Sequence, residues 1–537
     1  MKKNEIILVS ILLNLSIGLS FGQPVYPDKE TGTALTNTKS ANPGENLTPM
    51  VVPSIKNWSG GFGQYTLTGA SRIVVNSAYY SQLSADAITF KEDLLSISEL
   101  NVTIVNGATP VSGDFYLTLG SDNSSIGDEG YELTIKDYVT INAKTTTGAF
   151  YGMQTVLQAL KIDSDKNKIP KGSCIDWPDY PMRALMVDPA RKFLSVSYME
   201  DWIRRLAWYK MNYFHIHFTD DEGFRLQCDI YPGLTSTDGY YTLANIARFE
   251  ALAAKYHVSI IPEIDMPGHA SGIRKYDSTL FFTDANIKSV LNVTSTTTRN
   301  WLSGLLNYYL PKFSGKYFHI GTDEFPVPYH PHWPDSVYSS CTQLTAYQNS
   351  KGYAQPMDVF VEFMNWANDI IRSHGKTTRM WQWFDWAPNG IYPNSNIEID
   401  LWEPAFERPL AQWDGYAALD PAWYAGKGHK LLNSSEGWNY LTLGSTSVPH
   451  MDSYFGASGS ITTFHTGTIP EASCTGGKIN LWGDREYGGK TEAQINAILI
   501  PSVGAMGETT WGGPAKSGTL DSVFTSVTAA GEPPAYH

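Results

Sequence analysis

The sequence predicts a (β/α)8 barrel preceded by a smaller α+β domain, and three observations lead there. Short β-type runs alternate with helical stretches over the C-terminal two thirds of the chain. Acidic residues gather where those runs end, and the N-terminal third shows closely spaced β-type runs with turn clusters instead. The 537 residues leave room for both units, and 42% hydrophobic with 17% charged residues is ordinary globular composition.

In chain order, Met-Lys-Lys-Asn-Glu and an apolar run at 6–21 read as a secretory signal peptide, 1–22, cut near Gly22. A retained anchor is the alternative, but the run is short for a bilayer and lacks a basic stop-transfer flank. No cysteine lies near the cut, so no lipoprotein anchor is expected. The lysine-led signal is of bacterial type, which points to a periplasmic or secreted protein with no integral membrane segment after signal removal. Residues 23–53, rich in Ser, Thr, Asn, Pro and Gly, read as a linker or irregular arm.

Residues 54–178 form the expected accessory α+β domain, with β-type runs at 71–75, 101–105, 115–119, 131–135 and 139–142 and an amphipathic helix at 147–160. Residues 179–537 form the expected barrel. Its eight β-type runs are placed at 184–187, 213–218, 258–264, 317–320, 378–381, 397–401, 430–433 and 505–508, with helices such as 198–209 and 243–256 between them.

A net charge of −14 without a long Lys/Arg run gives no reason to expect nucleic acid or an anionic membrane as partner. Cys174, Cys228, Cys341 and Cys474 are far apart and lack CxxC spacing, so zinc-ribbon chemistry is not indicated. In an exported protein they form one or two disulfides or remain buried thiols.

The run 317–320 ends at Gly321 and presents Asp323 and Glu324, two acids at a strand's carboxyl end, where barrel enzymes keep their chemistry. Asp188 and Arg191 follow the first run, Asp220, Asp221 and Glu222 the second, Asp265 and His269 the third. Barrel geometry brings these ends to one mouth. Crowded carboxylates raise one another's pKa, which lets one remain a proton donor near neutral pH, and the longer Glu324 is the candidate. Asp323, its neighbour in an extended segment, points elsewhere and so does a different job.

Aromatic residues make up 13% of the chain, and Trp381, Trp383, Trp386, Trp402, Trp438, Tyr440, Trp482 and Trp511 fall at the same expected mouth. Core packing accounts for any one of them; several beside acids favour a sugar pocket, because flat rings stack on sugar C–H faces while carboxylates and Arg bind hydroxyls. His215 and His217 lie on one strand face and, with His269, could hold a metal; each could equally orient a carboxylate, as could His319.

At this point the chain resembles glycoside hydrolase family 20, the β-N-acetylhexosaminidases. The resemblance rests on Leu185-Met-Val-Asp-Pro-Ala-Arg191, His215-Ile-His-Phe-Thr-Asp-Asp-Glu-Gly-Phe-Arg225, Ile261-Pro-Glu-Ile-Asp-Met-Pro-Gly-His269 and His319-Ile-Gly-Thr-Asp-Glu324, in one order and register. Glu129-Gly-Tyr-Glu-Leu133 and Gly148 through Leu157 are similar to the accessory domain that precedes the family's barrel. The resemblance implies retaining, substrate-assisted hydrolysis of terminal β-linked N-acetylhexosamine from glycans, without metal or cofactor. It assigns proton transfer to Glu324, the acetamido N–H to Asp323 and the acetamido oxygen to Tyr440. Trp381, Trp402 and Trp511 would wall the acetamido pocket, with Trp482 beneath the sugar. Arg191 would bind the 3- and 4-hydroxyls and Asp484 the 4- or 6-hydroxyl, while Asp265, His269 and Asp221 support Glu324.

Departures bear on specificity. Thr322 stands in a motif usually Gly-Gly-Asp-Glu, Thr442 follows Tyr440 by two where Asp or Asn is frequent, and Asp484 replaces a frequent Glu. A hexosaminidase accepting a 6-sulfated sugar, or a lacto-N-biosidase, is the alternative within the family. A non-catalytic glycan-binding protein is the alternative outside it, and intact Asp323, Glu324 and Tyr440 argue against that.

Overall fold

The computed structural model describes residues 44–325, 340–383, 390–402, 420–443, 451–464 and 467–534. The expected signal peptide, residues 23–43 of the arm and Trp386 lie outside them. Residues 44–53 have no regular structure yet are packed: Val51 and Val52 are buried, and Gln158 accepts from the Val52 N–H and donates to its carbonyl.

Seven strands make the N-terminal sheet: β1 (Ser59–Thr66), β2 (Arg72–Val75), β3 (Thr103–Asn106), β4 (Phe115–Thr118), β5 (Tyr131–Ile135), β6 (Val139–Ala143) and β7 (Lys168–Asp176), in the order β1-β7-β5-β6-β4-β2-β3. The five expected runs are all there. β1 and β7 were hidden by Gly-, Lys- and Pro-rich sequence, and the helix Tyr80–Ser98 was missed although Leu83, Ala87, Phe90, Leu94 and Ile97 repeat at helical spacing along its buried side. The helix Thr146–Ile162, expected to be amphipathic, is buried all round from Gly148 to Leu160, because the sheet covers one side and the helices Tyr80–Ser98, Val196–Trp208 and Leu520–Ala530 cover the rest.

Eight parallel strands close the barrel: β8 (Met182–Val187), β9 (Tyr213–His217), β10 (Ser259–Glu263), β11 (Tyr317–His319), β12 (Thr377–Trp381), β13 (Glu398–Leu401), β14 (Leu431–Asn433) and β18 (Cys474–Trp482). β15 (Tyr440–Thr442) runs beside β18, and β16 (Thr463–Phe464) with β17 (Gly467–Thr468) forms a small hairpin. The helices Val196–Trp208 and Leu243–Lys255 fall where the periodicity placed them.

One strand was misplaced. Residues 505–508 lie inside the helix Glu492–Trp511, which a Thr491–Gln494 capping box starts and which is buried continuously from Ser502 onward, so no amphipathic period marks it. The closing strand is β18, which pairs with β14 and β8. Gly476, Gly477 and Lys478 break its apolar run, and packing explains the glycines. A Cβ at Gly476 would sit 1.9 Å from the Met182 carbonyl oxygen, and one at Gly477 2.6 Å from the Met506 sulfur.

The barrel interior is layered. Met182, Ala184, Ile261, Tyr317 and Leu432 form an apolar floor, and Met186, Trp381, Tyr440 and Trp482 an upper aromatic layer against Trp402. Between them lie buried charges, Arg379, Asp400 and Lys478, with His215 and His319. The four cysteines are unpaired and buried. Among the described residues no helix is long and apolar enough to cross a membrane.

Beneath the barrel, the accessory domain is tied on by polar groups. Buried Arg183 donates to both Glu129 carboxylate oxygens at 2.9 and 3.0 Å, and buried Lys210 meets Asp176 at 3.1 Å. Removing one partner strands the other charge out of water. Glu129→Ala should therefore cost about 3 kcal/mol, read as a lower urea midpoint; an unchanged midpoint would show that Arg183 needs no partner there.

Candidate active site

The site lies at the carboxyl ends of the barrel strands and is built around Asp220, which follows β9. Its Oδ2 meets Arg191 Nη2 at 3.0 Å and His217 Nε2 at 2.9 Å, while Oδ1 meets His269 Nδ1 at 3.2 Å. Arg191 is held again by Asp188, at 3.0 Å to its backbone N–H and 2.9 Å to Nη1, and its guanidinium lies 5.0 Å over the Trp482 ring. Asp188 also accepts from Gly483 N at 2.9 Å, tying the first and last strand ends together. Arg191 is thus fixed in direction before any ligand arrives.

His269 connects this anchor to the acids. Its Nε2 is 3.1 Å from Glu324 Oε2 and 3.9 Å from Asp323 Oδ2. The Asp220 carboxylate raises the His269 pKa well above the ordinary imidazole value despite burial, so the ring stands as a cation. The hydrogen bond from that cation lowers the Glu324 pKa. Here the expectation that Glu324 is the acid with raised pKa is corrected, since the bond to His269 outweighs the burial that would raise it. The raised carboxyls among the mouth acids are Asp323, Asp265 and Glu222, all mainly by burial, with the neighbouring Asp323 charge adding for Asp265 and the Asp220 charge for Glu222. The first two each keep one buried oxygen without a hydrogen-bond partner, Oδ1 of Asp323 and Oδ2 of Asp265.

The two adjacent acids do differ in setting. The Asp323 side chain is 10% exposed and that of Glu324 54%. Glu324 itself stands at φ 48°, and the turn that presents both acids depends on Gly321 at φ 68°, where a Cβ would fall 1.7 Å from Asp265 Oδ1. Thr322 follows at φ 82°, its N–H donating to Asp265 Oδ1 at 3.2 Å and its hydroxyl to the Trp381 carbonyl at 3.1 Å.

Beside the acids stands an aromatic box. Trp402 and Tyr440 are parallel within 8° at 6.3 Å, Tyr440 meets Trp482 at 5.8 Å, and Trp482 meets Trp381 at 5.6 Å. Trp381 donates from Nε1 to Glu263 Oε1 at 2.7 Å, and Trp402 to the Gln382 carbonyl at 2.9 Å. Trp383 backs Trp402 in a stack at 5.9 Å. Burial raises the Tyr440 pKa well above the ordinary phenol value, so its hydroxyl remains a donor. Asp484 begins the turn after β18, and its charge helps hold Arg191 protonated.

Three placements differ from expectation. Trp511 is not in the box: it ends the helix after β18 on the barrel's underside, donates to Asp176 Oδ1 at 3.0 Å and lies under the Lys210 ammonium at 4.5 Å. Met186 of β8 belongs to the box instead. Asp221 accepts from Ser271 N at 2.9 Å, which shapes the loop, while Asp220 takes the supporting role. Trp438 packs edge-on against Tyr454, away from the box. The His217–Asp220 spacing was the signal for Asp220, since a strand end that points one inward points the other to the mouth.

The histidines raised as metal ligands each face a carboxylate: His215 Nε2 lies 3.0 Å from Glu263 Oε2, His217 bridges Glu263 Oε2 at 2.6 Å and Asp220, and His269 bridges Asp220 and Glu324. His319 Nδ1 accepts from the Gly321 N–H at 3.0 Å.

Comparison with known proteins identifies the family and the fold. The profile described as glycosyl hydrolase family 20, catalytic domain, matches residues 180–514, and that of the family's domain 2 matches 48–177. A lacto-N-biosidase of Bifidobacterium bifidum is 25% identical over 489 residues, 88% of this chain and 41% of that protein. A β-hexosaminidase of Porphyromonas gingivalis is 27% identical over 346 residues, 59% of this chain and 43% of that protein. The matches therefore span less than half the length of both relatives. The solved β-N-acetylhexosaminidase of Streptomyces coelicolor shares the fold, with a TM-score of 0.71 at 22% identity over 90% of this chain and 96% of that one.

The His269 cation stabilises the fold in a defined pH window. Its folded pKa lies above the unfolded value, so the contribution is full below about pH 6.5 and is lost as pH rises through the folded value. The thermal-midpoint advantage of wild type over His269→Gln should follow that course; an advantage independent of pH would mean that the ring is held neutral.

Proposed function

The chain belongs to glycosyl hydrolase family 20, and from that premise we propose that it is a retaining exo-β-N-acetylhexosaminidase that removes terminal β-linked GlcNAc or GalNAc from glycans. The observation that carries the reading is the division between the adjacent acids: Asp323 is enclosed beside the aromatic box, and Glu324 is half-exposed and bonded to His269. Two carboxylates that straddle a glycosidic bond would stand on opposite faces of the sugar; here both come from one turn. The nucleophile on the far face is then the substrate's own acetamido oxygen.

In the first step that oxygen bonds to the anomeric carbon as the glycosidic C–O bond breaks, and Glu324 gives its proton to the leaving oxygen. Asp323 accepts from the acetamido N–H as positive charge develops on the oxazolinium ion, and the Tyr440 hydroxyl donates to the acetamido oxygen. In the second step Glu324 takes a proton from water, which adds to the anomeric carbon and restores the acetamido group with net retention. The free site favours the ionised Glu324, and substrate changes that. A sugar covering the exposed carboxylate strips its water and raises its pKa, so the proton shared with His269 moves toward the leaving oxygen. The Trp381, Trp402, Tyr440 and Trp482 rings enclose the acetamido methyl and the sugar face, and Arg191 holds the hydroxyls of an unsubstituted terminal residue.

Lacto-N-biosidase activity is the second reading, favoured by the Bifidobacterium relative and by the short Asp484. The rigidly held Arg191 opposes it, because a 3-linked galactose would crowd the guanidinium. We further propose that residues 1–22 export the enzyme to the periplasm or medium.

Release of 4-nitrophenol from its β-GlcNAc, β-GalNAc, 6-sulfo-GlcNAc and β-lacto-N-bioside derivatives tests the reading. Monosaccharide substrates should be cleaved, cleavage of the disaccharide alone would select the second reading, and no turnover would refute both. Glu324→Gln should lower kcat/KM about 10²–10⁴-fold on unactivated glycosides and less on a phenolate leaving group; equal losses would remove Glu324 as the acid.

A further inference from the structure

Lys478 projects from β18 into the closed barrel and is fully buried. Its Nζ ion-pairs with Asp400 Oδ2 of β13, lies 3.0 Å from His215 Nδ1 of β9 and stands 3.8 Å from the Trp381 ring centroid. Asp400 is bound in turn by Arg379 of β12, whose second carboxylate is Glu398. Enclosing such a charge is costly, and an apolar residue would serve stability as well. What the ammonium adds is direction: a desolvated cation on the face of an indole resists any tilt that would carry the ring off it.

Trp381 stands at the boundary between two environments. Below it lie Lys478 and the stacked His215 ring at 5.8 Å, its edge is bonded to Glu263, and above it begins the box of Met186, Trp402, Tyr440 and Trp482. We propose that Lys478 is a positioning residue that fixes the plane of Trp381 and so the shape of the acetamido pocket. The proposal rests on the hexosaminidase reading, which makes Trp381 a wall of that pocket.

The arrangement is pH-sensitive. Asp400, Arg379, His215, His319 and Glu263 face the ammonium from the surrounding strands, and burial brings the Lys478 pKa down to about 8. Below that pH the cation holds the indole, and above it the hold is lost.

The test uses the full chain with Lys478→Met and Lys478→Gln, in both of which Asp400 keeps Arg379. Calorimetric titration with free N-acetylglucosamine from pH 6 to 9.5 is joined by hydrolysis of 4-nitrophenyl β-GlcNAc and by near-UV circular dichroism. Both variants should keep the near-UV spectrum of a folded chain, altered only in the tryptophan region, while Kd and KM rise about tenfold, as for one desolvated cation–π contact. kcat should fall less, and the weakening of wild-type binding above pH 8 should be absent from both. Kd within twofold of wild type, or an alkaline step that survives in the variants, overturns the proposal. So does loss of the near-UV spectrum in both, which would make Lys478 a requirement of folding. Wild-type binding without turnover would defeat the hexosaminidase reading and leave the Kd comparison to decide the role of Lys478.

Discussion

The carboxylate of Asp220 is the constraint on which the site depends. One buried anion meets three cationic or donor groups, Arg191, His217 and His269, each from a different strand end. It lies well below the usual carboxylate range, because two cations outweigh the burial that would raise it. An anion so held cannot be neutral near pH 7, and it cannot release any of its partners without leaving charge uncompensated in a poorly solvated place. Arg191 and His269 are thereby aimed, the first across the Trp482 face and the second at Glu324.

The same reasoning extends down the barrel. Glu263 touches His217 and the Trp381 indole, so the edge of the aromatic box is bonded to the charge system that holds Asp220. Beneath it Asp400 joins Arg379 and Lys478. Charges in a closed barrel persist only in mutually satisfied sets, and satisfied sets have few alternative geometries. The aromatic layer rests on a polar layer, and it inherits a rigidity that stacked rings alone would not have.

The sequence made the barrel legible where strands are mostly apolar runs followed by acids, as at Met182–Val187 and Tyr213–His217. It misled where tertiary packing overrode local pattern. β18 carries Gly476 and Gly477 because a neighbouring strand and helix approach too closely for side chains, and it carries Lys478, whose ammonium joins Arg379 on Asp400 in an interior charge set. The helix Glu492–Trp511 shows the converse, a segment so enclosed that no polar face marks it as helical. Trp511 was drawn into the expected pocket by its motif position, yet its indole N–H answers Asp176 at the domain junction. Asp220 and Asp221 are neighbours of one type, and only the direction of the strand end distinguishes the network's centre from a loop-shaping residue.

The ordering of the acids follows from where water remains. Asp265 and Asp323 have lost it and are raised; Glu324 keeps it on about half of its side chain and is lowered by His269. An acid that stayed protonated in the open site would sit apart from a cation, and such a group could not return easily to the base form that water attack requires. Glu324 is poised the other way. In the proposed reaction it is a base before substrate binds and becomes an acid when a sugar displaces its water, with His269 and Asp220 behind it to hold the proton in the interval. On the proposed reading one carboxyl serves both steps of a retaining hydrolysis, and its change of role is driven by substrate desolvation, with His269 as the partner that shares the proton.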